Sequence, residues 1–132
     1  MIDYVSMAKA FLNRLLLLPY LRYSSLTAIP HAMKRKAAEV IGFHNLSIPP
    51  KAYAIGAMRG LVIDHVSSVN VFNTNKVRAA HIQGTNEIEN MILGDHIEAI
   101  QWIQSKIGPR AYFNDKARWR EFLEIIEKVN TN

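Results

Sequence analysis

The sequence predicts a mainly α-helical fold, a single domain over residues 1–132 built as a bundle of about five helices. Three observations carry this. Apolar residues recur at three- and four-residue spacing along most of the chain. Breakers such as Pro19, Pro49-Pro50, Gly84 and Gly108-Pro109 fall between those periodic stretches. With 49% of its residues apolar, a chain of 132 residues can fill one core but not two.

The first helix is expected from Ile2 to about Leu18, where Val5, Ala8, Leu12, Leu15 and Leu16 keep helical spacing until Pro19 stops the backbone ladder. A second follows Ser24-Ser25, with Pro30 in its first turn, Ile29, Met33, Ala37, Val40 and Ile41 inward, and Lys34, Arg35 and Lys36 outward. Ser47 is the natural cap of a third, whose first turn takes Pro49 and Pro50 because N–H groups there have no helical partner. Ile55, Met58, Leu61, Val62, His65 and Val66 then line one face to about His65. Between 68 and 83, Val69, Val71, Val77, Ala79 and His81 alternate around the polar run 73–76. One small β-hairpin there competes with a loop running into the next helix. Thr85 opens a long fourth helix that ends at Gly108-Pro109. A last helix begins near Asn114 or Asp115, and its stripe of Trp119, Phe122, Leu123, Ile126 and Val129 reads as core.

Cysteine is absent, so disulfides, thiolate metal sites and cysteine nucleophiles are excluded together. No run approaches the roughly 18 apolar residues of a membrane span. The opening Met1-Ile2-Asp3 lacks the positive segment of a secretory leader, and a cytoplasmic protein without membrane contact is expected. Charge is unevenly spread. Residues 1–84 hold ten Lys and Arg against three acids, a balance of +7, whereas residues 85–132 hold six against eight, a balance of −2. A basic surface gathers polyanions, and solvated helix faces are the competing explanation.

Four constellations bear on function. Ala38, Gly42 and Ile48 match the small residue, turn and anchor of a helix-turn-helix, so a DNA-binding regulator is one alternative. Against it, Pro49 and Pro50 enter the would-be recognition helix, and its reading side, Ala52 to Gly56, is nearly apolar. Arg59 and His65 resemble, in spacing, the arginine-to-histidine motif of the small helical nucleases called HEPN domains. The residues between them are mostly apolar, and His65 shares a stripe with Leu61 and Val62, which reads as a hydrogen-bonded core histidine. Asp64-His65 and Asp95-His96 are sequence neighbours whose side chains diverge by about 100° on a helix, so no metal and no cofactor is predicted. The fourth is the basic set Lys34, Arg35, Lys36, Lys51, Arg59, Lys76 and Arg78, with Arg14 and Arg22 nearby. Cations spaced along helices track a phosphate backbone without reading bases, and Tyr20, Tyr23, Tyr53 and Phe72 offer stacking rings if exposed.

Helices around Arg22-Tyr23-Ser24-Ser25-Leu26, a candidate hairpin, and Gly84-Thr85-Asn86-Glu87-Ile88 opening a long helix give an element order that resembles the small helical subunit of type I CRISPR effector complexes. The resemblance implies a non-enzymatic subunit holding nucleic-acid strands by basic patches; no residue role is carried over from it. The expected function is therefore sequence-tolerant nucleic-acid binding by the basic two thirds, RNA or DNA through backbone contacts, as part of a larger nucleoprotein assembly. The C-terminal third would pack the core or meet a protein partner. The alternative from another class is an interaction module, of the viral or plasmid-encoded regulator type, docking the same lysines on an acidic protein.

Overall fold

The computed structural model describes residues 3–66 and 86–131. Within them the chain forms five α-helices: α1 (Tyr4–Leu15), α2 (Arg35–Ile41), α3 (Pro49–Met58), α4 (Glu87–Ile107) and α5 (Arg120–Asn130). Two 3₁₀ turns, Pro19–Leu21 and Phe43–Ser47, lie between them. No strand occurs among the described residues, and the candidate hairpin at 68–83 lies outside them.

Helix α1 opens with Asp3, whose carboxylate accepts hydrogen bonds from the backbone N–H of Ser6 at 2.8 Å and from its hydroxyl at 2.9 Å. It ends at Leu15 rather than near Leu18, because the ring of Pro19 drives the preceding residue out of the helical region. Leu17 then takes a positive φ of 60°, and the Leu18 N–H turns back to the Asn13 carbonyl at 2.8 Å.

The second helix is shorter than its apolar spacing suggests. It starts at Arg35, so Pro30 lies outside it, after a cis Ile29-Pro30 peptide, and Ile29 is 83% exposed rather than inward. Local polar bonding wins over helix here. The Ser25 hydroxyl accepts from the Thr27 N–H at 3.1 Å, and the His31 ring bonds the Ala28 carbonyl at 2.9 Å.

Helix α3 is the innermost. Pro49 and Pro50 occupy its first turn as expected, but Ile48 rather than Ser47 stands at the cap, and the Ser47 hydroxyl donates instead to the His44 carbonyl. Every residue from Ala52 to Gly56 is buried. An apolar stretch without a polar face settles in an interior, and its small side chains let neighbours close in. A Cβ on Gly56 would stand 3.3 Å from a Leu61 methyl and 3.4 Å from one of Ile41. The helix stops at Met58, not near His65. Gly60, at φ 78°, donates to the Ala57 carbonyl and Leu61 to the Gly56 carbonyl, the paired bonds of a Schellman motif that needs a left-handed residue. Residues 61–66 are therefore irregular, and His65 is exposed rather than a core histidine.

Helix α4 begins at the Asn86 cap, whose side chain accepts the Glu89 N–H at 3.1 Å, and closes at Gly108, φ 99°. It packs on both α1 and α3. The main core joins Leu12 and Leu15 of α1 and Leu16 just after it with Leu21, Tyr53, Ala54, Ala99 and Ile103; a smaller cluster joins Ile41, Ala52 and Ile55.

Two polar side chains are sealed in this core, Asn13 and His96. The Asn13 amide donates to the carbonyls of Arg22 at 2.8 Å and Ser24 at 3.0 Å, while its oxygen accepts from the Tyr53 hydroxyl. Burial pushes the Tyr53 pKa up, so the phenol stays a neutral donor. One amide thus joins α1, the turn after it and α3. Asn13→Leu strands the Tyr53 hydroxyl and two carbonyls, and is expected to cost about 3 kcal/mol; urea unfolding should show a lower midpoint with an unchanged slope.

His96 bonds the Ile92 carbonyl through Nδ1 at 2.7 Å, and among the described residues no donor reaches its buried Nε2. Burial lowers its pKa below the usual 6.5, with the positive charge of Lys9 adding to the effect and the Ile92 bond and Asp95 opposing it. The unfolded chain then takes up the proton at higher pH than the folded one, so stability is full above about pH 6.5 and declines as pH falls toward the depressed folded value. Unfolding midpoints measured from pH 7.5 to 5 should fall for the wild type and much less for His96→Leu; parallel declines would remove His96 as the cause.

Candidate nucleic-acid interface

The seven predicted cations separate into three groups. Lys34, Arg35 and Lys36 are all exposed at the start of α2, whose first turn contains no acid. Ala38 and Ile41 anchor one side of that helix in the core; Arg35 and Lys36 leave the axis about 90° and 170° away from it, and Lys34 is exposed as the cap residue. Among the described residues only Arg35 of the three has a partner, Glu39 at 3.0 Å one turn on. With the Arg35 side chain 88% exposed, this pair contributes little and exchanges readily.

Lys51 and Arg59 are engaged instead. The Lys51 ammonium, its side chain 24% exposed, lies 3.0 Å from the Glu98 carboxylate and ties α3 to α4. The Arg59 guanidinium donates through Nη1 to the Val40 carbonyl, in the last turn of α2 where carbonyls lack helical partners. Next to it, the Asn45 amide closes the Ile41 carbonyl at 2.8 Å. Both cations serve the fold at their charged ends. Lys76 and Arg78 lie outside the described residues, as does Phe72.

Arg14 and Arg22 are exposed, and so are Tyr20 and Tyr23, although the Tyr20 hydroxyl is tethered to the Ile63 carbonyl at 3.3 Å. Tyr53 is core and unavailable for stacking. Lys9 is partly buried against α4, and that burial lowers its pKa, opposed by the charge of Asp3.

The other constellations fare differently. Helix α3, which a helix-turn-helix would insert in the major groove, has no exposed residue between Pro49 and Met58. Arg59 and His65 do not share a helix, because Gly60 ends α3 between them. His65 faces solvent with Asp64 beside it at 3.9 Å. Among the described residues no three His, Asp or Glu side chains converge on a point where a metal ion could sit. An open cleft of about 380 Å³ lies between Leu26, Met33, Ala38, Leu46, Pro49 and Ala52. The ring of His31 at its edge already bonds the Ala28 carbonyl.

The C-terminal third departs most from expectation. Its helix starts at Arg120, not at 114 or 115, because Asp115 is occupied with Arg110 at 3.6 Å, Arg118 at 3.7 Å and Arg120. The stripe of Trp119, Phe122, Leu123, Ile126 and Val129 is exposed throughout, Trp119 by 73%, and is not part of the core. The Trp119 and Phe122 rings stack on each other with centroids 5.1 Å apart. Sequence reasoning also missed Asn13. A polar residue within an otherwise apolar helical stripe, flanked by Leu12 and Leu15-Leu16, was the available signal.

No protein-family model matches the chain, nor does any curated protein or solved structure. Among the described residues no helix is long and apolar enough to cross a membrane.

If Lys51 is a structural cation, Lys51→Met should lower stability by about 0.5–1 kcal/mol, a partly exposed ion pair being worth no more. A double-mutant cycle with Glu98→Gln in urea unfolding should recover that coupling, and polyanion binding should change little.

Proposed function

We propose that this chain is a non-enzymatic, sequence-tolerant nucleic-acid-binding protein of the cytoplasm, working as a subunit of a larger nucleoprotein assembly. The observation that supports it is the run Lys34-Arg35-Lys36, three adjacent exposed cations that fan around the start of a helix anchored in the core, with one exposed acid beside them. Such a cluster suits the phosphates of a strand, since each ammonium or guanidinium acts as a point of charge and none needs a base edge. Arg14, Arg22 and the exposed rings of Tyr20 and Tyr23 are the further candidates for a strand to meet. The resemblance in element order to the small helical subunit of type I CRISPR effector complexes agrees with this reading, since those subunits hold strands by basic patches.

The same cations would dock an acidic protein, and the exposed apolar stripe of α5 favours a protein contact of some kind. Salt titration separates the two readings. Anisotropy of labelled single-stranded RNA, single-stranded DNA and duplex DNA should show binding that falls steeply with log salt. In the triple variant Lys34→Glu, Arg35→Glu, Lys36→Glu, binding should collapse at moderate salt. Changed to Ala instead, the same residues should flatten the single-strand slope by about 2, at roughly 0.7 for each phosphate that is no longer neutralised. Absence of binding to all three nucleic acids at low salt sinks the proposal and leaves the acidic-protein reading.

A further inference from the structure

Helix α5 has eleven residues, all exposed, and its apolar and charged residues separate completely around the axis. At about 100° per residue, Ile125, Val129, Phe122, Ile126, Trp119 and Leu123 fall in succession within an arc of about 160°, interrupted only by Asn130. Glu127, Arg120, Glu124, Lys128 and Glu121 fill the opposite side. An isolated helix of this length is marginal in water, so a helix here depends on something covering that arc.

We infer that α5 pairs with α5 of a second copy of this chain, antiparallel, about a two-fold axis level with position 124. Spacing and size agree on this arrangement. Trp119, Phe122, Ile126 and Val129 follow the 3-4-3 rhythm of a helix-pairing seam. Centred at 124, the antiparallel pair sets Trp119 level with Val129 of the second copy and Phe122 level with Ile126, large against small at each step. A parallel pair would set Trp119 against its own copy and align the two helix dipoles. In the antiparallel pair the two-fold axis repeats each level contact, Trp119 with Val129 and Phe122 with Ile126, the reciprocity that an isologous contact requires.

The area suffices. Two aromatic rings able to bury about 150–250 Å² each, with four aliphatic side chains on each helix, bring the pair to roughly the 1,000 Å² of a specific interface. A lipid surface fits less well, since helices lying in a membrane interface carry a Lys- and Arg-rich polar face, whereas this one has three acids and two bases. The pairing does not rest on the nucleic-acid reading, and the basic run of α2 takes no part in it.

Sedimentation velocity of the full chain from low micromolar to near-millimolar concentration should show a monomer passing to a dimer. Phe122→Glu with Ile126→Glu should stay monomeric throughout while the main thermal unfolding step is retained, which separates loss of pairing from loss of the core. Trp119→Val and Val129→Trp should each weaken dimerisation about tenfold by breaking the match of large against small at both ends, and the two combined should restore it, which only the antiparallel register permits. A wild type that stays monomeric at the highest concentration overturns the pairing. A double variant as weak as the singles overturns the antiparallel register. A monomer that co-sediments with phosphatidylcholine–phosphatidylglycerol vesicles assigns the arc to lipid instead, again overturning the pairing.

Discussion

The carboxamide of Asn13 holds together three parts of the chain that hydrophobic contact alone would leave free to slide. Its helix stops at Leu15, within the run Leu15-Leu16-Leu17-Leu18. Any of these leucines gains from burial, so apolar contact alone does not choose which of them turn inward. An amide sealed in the core gains only where its donors and acceptor all find partners, because each missing bond leaves a dehydrated polar atom. The carbonyls of Arg22 and Ser24 and the Tyr53 hydroxyl supply those partners in one arrangement. The course of the turn after α1 and the depth of α3 follow from it. His96 works the other way. With its Nε2 buried and unmatched among the described residues, it makes the α4 contact sensitive to protonation.

Net charge and available charge are different quantities in this molecule. The basic excess of residues 1–84 is real, yet Lys51 is held by Glu98, Arg59 closes a helix end, and Lys9 is partly buried. In the C-terminal third Arg110, Arg118 and Arg120 gather on Asp115. Among the described residues, Lys34, Arg35 and Lys36 place three exposed cations around the start of α2. A polyanion approaching there would meet that cluster first, and electrostatic steering depends on such local concentration of charge more than on the total.

At its two ends the chain handles amphipathy differently. Helix α1 buries its leucine face against α4 and keeps Tyr4, Met7 and Phe11 outside, whereas α5 has an even cleaner division of faces and covers none of it. A helical stripe records only that one side avoids water. Whether that side meets the chain's own core or another surface depends on where the connecting segment delivers the helix. Asp115, drawing in three arginines, organises the segment that leads into α5.

Local chemistry dictated the mainly helical class, the proline start of α3, the glycine end of α4 and the solvent placement of Lys34 to Lys36. Each depends on interactions within a few residues: a missing N–H, a left-handed φ, a spacing of three and four. The early stop of α3 was written locally too, in Gly60, but the apolar periodicity running on to Val66 outweighed it. The irregular course of Ser24 to Lys34 is local as well, since helix there loses to turn bonding among Ser25, Thr27, Ala28 and His31, although the apolar spacing points the other way. The engagement of Lys51 and Arg59, the exposure of the α5 stripe and the role of Asn13 were decided only by the fold. These depend on partners far away in sequence, Lys51 with Glu98 and Asn13 with Tyr53, and a one-dimensional pattern carries no distance between such residues.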